Sequence, residues 1–124
     1  MREFREIGKV LAVLIAEQDS YTYVDKLGYA PSRDLAVYYL KEALRDLHSL
    51  LRKGKFENKG AEELLKNIDF SQIEAELERF QKISDRKELR EKTSSIAAHA
   101  LALSARLKSK WEGGWYYGRC LSFY

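Results

Sequence analysis

The chain has 124 residues, a formal charge of +3 from 22 bases and 19 acids, and 45% apolar residues. That length supports one domain with its own core, and the balance excludes a disordered, collagen-like or low-complexity chain. Cys120 is the single cysteine and the longest apolar run, 10–16, is too short to span a bilayer. Together these predict an intracellular, cytoplasmic protein with no membrane partner.

Apolar residues recur at helical spacing along nearly the whole chain. A first helix over 2–17 places Phe4, Ile7, Leu11, Leu14 and Ile15 on one face, with Arg2, Arg5 and Lys9 opposite. A short helical turn before Gly28 follows. Ser32 then suits the N-cap of a second helix, 33–53, whose core stripe is Ala36, Leu40, Ala43, Leu44, Leu47 and Leu51 and which Gly54 ends. A polar linker leads to a short helix over 61–66, presenting Leu64 and Leu65. A fourth helix opens with a capping box, Ser71 with Glu74, and buries Ile73, Leu77 and Phe80. The last helix opens at Asp85 with Glu88, continues to about residue 111, and keeps Leu89, Ile96, Ala100, Leu103 and Leu107 on its seam. Only the tail 115–124 reads as a candidate for extended structure. The fold class is all-α: a compact single-domain bundle of about five helices over 1–112, with an aromatic tail, 113–124, that packs on the bundle or on a partner.

Charge is distributed unevenly. Residues 1–56 carry +2, residues 57–78 carry −5 and residues 79–124 carry +6. Such polarity predicts a basic surface for an anionic partner and an acidic one for something else. Abundant Lys, Arg and Glu beside two Asn and three Gln also points to a hot habitat.

No catalytic chemistry is legible. His48 and His99 have no histidine four residues away and no neighbouring cysteine, so no helix-borne zinc pair exists, and no glycine-rich phosphate loop occurs. HEPN ribonucleases place an arginine and a histidine further apart than Arg45 and His48, which leaves nothing to carry over. Catalytic residues, metal and cofactor are therefore all read as none.

Cationic patterning is clearer. Lys41, Arg45 and Arg52 fall within roughly 40° of one another around the second helix, along a ridge about 16 Å long, with Tyr38 adjoining. Such a ridge can follow phosphates while the tyrosine stacks on a base or covers a sugar. Lys92, His99, Arg106 and Lys110 make a stripe on the last helix, and Lys87, Arg90 and Lys108 a second one. No base-reading module is present, so nucleic-acid contact through Lys41, Arg45, Arg52, Lys92, Arg106 and Lys110 would ignore sequence. Six of fifteen aromatics lie in the last fourteen residues. Trp115, Tyr116, Tyr117 and Phe123 are candidate partner anchors, and a helical assembly adaptor acting through them is the alternative reading.

Ser20-Tyr21, Val24-Asp25-Lys26 and Tyr29-Ala30-Pro31-Ser32, leading into a long amphipathic helix, resemble the N-terminal half of the small helical subunit of archaeal type I-A CRISPR interference complexes (Cascade). The resemblance spans residues 20–47, and small subunits of type III effectors are similarly helical and basic. It implies a non-enzymatic subunit stacked in several copies along a crRNA-guided assembly, contacting the other subunits. There it would support the guide–target duplex or the displaced strand while base pairing reads the sequence. The charge polarity fits self-stacking, with the acidic segment 57–78 of one copy near a basic face of the next.

Overall fold

The computed structural model describes residues 4–29 and 32–116, with side chains described through residue 108. These residues form six helices: α1 (Arg5–Gln18), α2 (Thr22–Gly28), α3 (Arg33–Lys53), α4 (Lys59–Lys66), α5 (Phe70–Gln81) and α6 (Arg86–Tyr116). The count exceeds the expected five because the turn before Gly28 makes a full helix, anchored by buried Val24 and Leu27.

α1 is the centre of the bundle. It packs against α3, α4, α5 and α6, while α2 rests on α3 and α6. The sequence pattern gives α1 one apolar face, yet Val10, Ala12 and Val13 are buried as well as Ile7, Leu11, Leu14 and Ile15. A helix enclosed on all sides needs apolar residues all round. Its neighbours cover only one side each, and each fully buried aliphatic side chain contributes about 2 kcal/mol.

Three carboxylates tie the bundle together through backbone N–H groups. Glu76 of α5, 1% exposed, accepts from the N–H of Glu6 at 3.3 Å and of Ile7 at 3.0 Å. It thereby caps α1, whose own N-cap residue Phe4 makes no side-chain cap and sits at φ 59°. Glu6 in turn accepts from Asp69 N–H at 3.0 Å, and Glu17 from Glu57 and Asn58 N–H at 2.7 and 3.2 Å. Carboxylates accepting N–H at a helix start gain both from the bond and from the helix dipole.

Local signals fix most boundaries. Ser32 Oγ accepts from Leu35 N–H at 3.3 Å, as its N-cap position predicts, and Gly54 at φ 66° ends α3. The capping box at Ser71 is not the start of α5: Asp69 caps it, accepting from Ser71 and Gln72 N–H at 3.1 and 3.2 Å. Asp69 lies two residues upstream and its carboxylate reaches both donors, so Ser71 is already helical. Those bonds, that of the Ser71 hydroxyl first, hold the Asp69 carboxyl below its usual range. Leu51 is 40% exposed while Leu50 is buried, so the core stripe of α3 ends on Leu50, one position from the expected residue. α6 does not stop near residue 111; its backbone is helical through Tyr116, including Trp115, because no proline interrupts it and Gly113 and Gly114 cost only about 1 kcal/mol each. Among the described residues, no helix is long and apolar enough to cross a membrane.

Candidate nucleic-acid interface

On α3, burial of Ala36, Leu40, Ala43 and Leu47 turns the opposite side to solvent. Lys41, Arg45 and Arg52 are all exposed there, about 150° round the helix from the buried stripe. Arg45 reaches Glu42 Oε2 at 3.2 Å but keeps 72% of its side chain exposed, so the pair neutralises it only partly. Lys41 and Arg52 have no ion pair among the described residues. Tyr38, half exposed, flanks the ridge and packs edge-on against Tyr39 at 5.8 Å, with Lys26 Nζ 5.2 Å from the Tyr39 ring centre. Tyr23 donates to Asp46, docking α2 on α3 beside the ridge. Burial, then that bond and the Asp46 charge, push the Tyr23 phenol well above its usual value.

The α6 stripe has a different setting. Arg106 is exposed, whereas Lys92 and His99 are half-buried. The His99 ring lies on α1, where a Cβ added at Gly8 would stand 2.6 Å from its Cδ2. Its Nε2 is buried without a hydrogen-bond partner among the described residues. Burial chiefly, then repulsion from Arg106, Arg5 and Lys9, lowers the His99 pKa. Arg5 and Lys9, expected on the side of α1 away from the core, thus stand near α6, while Glu6 Oε2, 3.2 Å from Lys9, offsets part of their charge.

α3 and α6 each pack on α1 and α2, so the two cationic rows sit on separate helices of the bundle. The second stripe of α6 loses a member: Lys108 is engaged by Asp19 and by Tyr21, whose hydroxyl is 3.2 Å away. The side chains of Lys110, Trp115 and Tyr116, and Tyr117 and Phe123 entirely, lie outside the described residues. Sequence reasoning missed Arg79 and Lys82, which the α5–α6 connection brings beside Lys92; the only signal was a pair of bases three apart at a helix end. The acidic segment also changes, since Glu76 is buried as a cap while Glu74 and Glu78 are exposed. Among the described residues, no three His, Cys, Asp or Glu gather as a metal site would require.

An "Uncharacterized protein" of Archaeoglobus fulgidus is 68% identical to the chain over 104 residues, covering 84% of this chain and 90% of the relative. The chain belongs to the family of that archaeal protein. No family model matches it, and no solved structure does.

Proposed function

We propose that this chain is the non-catalytic small subunit of a CRISPR RNA-guided effector complex, binding nucleic-acid backbone without regard to sequence and stabilising the guide–target duplex or displaced strand. The observation that carries the reading is the α3 ridge: Lys41, Arg45 and Arg52 face solvent opposite the core, with half-exposed Tyr38 beside them. The mechanism is counterion release from phosphates, with Tyr38 covering a base or sugar. Arg106 adds a further exposed cation on α6, and Lys92 and Lys110 extend its row. Residues 1–112 hold the strand, and the aromatic tail, 113–124, docks on the bundle or on a neighbouring subunit. Self-stacking uses the exposed acids of 57–78; because Glu76 is a buried cap, charge reversal to test it belongs at Glu74 and Glu78 alone.

Gel-shift titrations over a range of salt, with unrelated single-stranded and duplex RNA and DNA, test the reading. Changing Lys41, Arg45 and Arg52 to Glu weakens all sequences alike and lowers the salt slope by about 1 for each phosphate that the ridge no longer neutralises. Unaltered binding, or loss for one sequence only, refutes the ridge. A chain ending at residue 112 retains salt-sensitive binding; its loss there would favour an adaptor acting through the tail.

A further inference from the structure

Between Arg45 and Arg52 the α3 ridge holds a further polar side chain. His48 is exposed, and it completes a row with Tyr38, Lys41, Arg45 and Arg52 in which the spacing alternates between three and four residues. At 100° per residue the five positions lie within about 80° of one another, and they rise along the axis by about 4.5 and 6 Å in turn. Without His48 the row has a gap of about 10.5 Å, nearly two turns, between its last two cations.

The surroundings hold the imidazole at the surface and leave it open. Its ring centre is 5.6 Å from that of Phe70, at a tilt of 44°, and Phe70 packs on the core at the start of α5. Arg45 and Arg52 stand about one turn away on either side along α3. Of the acids on the adjoining turns, Glu42 lies against Arg45 at 3.2 Å and Asp46 accepts from the Tyr23 hydroxyl. On α5, the acids nearest Phe70 in sequence are Asp69, which the Ser71 and Gln72 N–H groups engage, and exposed Glu74. α1 meets α3 through uncharged Ile7, Val10 and Leu11. α2 approaches it at Tyr39 and Asp46, on the side of the helix away from His48.

We infer that His48 is a proton-coupled contact of the strand: it takes a proton from solvent as a phosphate docks beside it, so acid strengthens binding. The inference rests on the α3 ridge being the strand-binding surface. Histidine is the side chain that changes charge between pH 8 and 5, and a neighbouring anion favours its charged form. The protonated ring offers two N–H donors where the neutral ring offers one. It also adds a cation midway between Arg45 and Arg52, and each further phosphate neutralised steepens the salt dependence by about 0.9.

Fluorescence-anisotropy titrations of the full chain with an oligothymidylate strand, whose bases do not titrate in this range, provide the test. They are run at about pH 5.5 and about pH 7.5 over several salt concentrations, with circular dichroism at each pH. The full chain binds several-fold more tightly in acid, and its salt slope is larger there by about 1. His48→Asn loses both differences, and His48→Arg binds at either pH as the full chain does in acid; the position is exposed, so both variants fold. His99→Asn and Glu74→Gln keep the pH dependence. A pH dependence that survives His48→Asn, that disappears with His99→Asn or Glu74→Gln, or that His48→Arg leaves in place overturns the assignment. The two readings fail separately. Binding that ignores the change of Lys41, Arg45 and Arg52 to Glu refutes the ridge and this contact with it. Binding that falls with that change but is equal at both pH values refutes the His48 contact alone.

Discussion

Replacing Glu76 by alanine probes the joint on which the central helix is set. The side chain is 1% exposed and accepts from two backbone donors, Glu6 N–H and Ile7 N–H, at 3.3 and 3.0 Å. Neither donor has an intrahelical partner, because both lie in the first turn of α1. Removing a charged acceptor from a buried donor costs about 1–3 kcal/mol for each, so Glu76→Ala should lose about 4 kcal/mol. For a domain of this size that lowers Tm by roughly 15 °C. Glu76→Gln keeps one acceptor oxygen but turns amide hydrogens toward the second donor and removes the charge facing the helix dipole; about 2 kcal/mol is expected. Glu74→Lys, two residues away in sequence but exposed, should stay within about 0.5 kcal/mol of the parent. Urea denaturation followed by circular dichroism measures all three. A Glu76→Ala midpoint matching that of Glu74→Lys would show that α1 does not need this cap, and the reasoning would fail.

Two further outcomes concern the α1–α6 contact. His99 has a lowered pKa in the folded chain, so on acidification the unfolded chain takes the proton first; stability is full above about pH 7 and falls as pH drops through 6.5. His99→Asn should flatten that part of the pH–stability profile, and an unchanged slope counts against the buried setting of the ring. Gly8→Ala, which in an open helix gains about 1 kcal/mol, should here lose about 1 kcal/mol by overpacking against His99, whose Cδ2 would lie 2.6 Å from the new Cβ. In a His99→Ala background the same change should turn stabilising, and additive effects across the double-mutant cycle would contradict direct contact.

Local chemistry made much of this protein readable in advance. Ser32 and Gly54 bound α3 because an N-cap hydroxyl and a left-handed glycine act within one helical turn. The apolar seams of α3 and α6 followed from periodicity alone, and with them the exposure of Lys41, Arg45, Arg52 and Arg106 on the faces left over. Periodicity cannot say how many neighbours a helix has, so the burial of α1 on every side emerged only once four helices closed round it. The same limit concealed what distant partners decide. Glu76 is a cap and no surface acid, because its donors lie about seventy residues away in sequence. Lys108 is drawn from its stripe by Asp19 and Tyr21, and His99, placed by spacing in the cationic stripe of α6, presses on Gly8 of α1. Arg79 and Lys82 join Lys92 only through the fold of the α5–α6 turn. Spacing along one helix fixes which side chains share a face; which charges meet, cancel or are left open to an anion depends on contacts between helices that sequence separation hides.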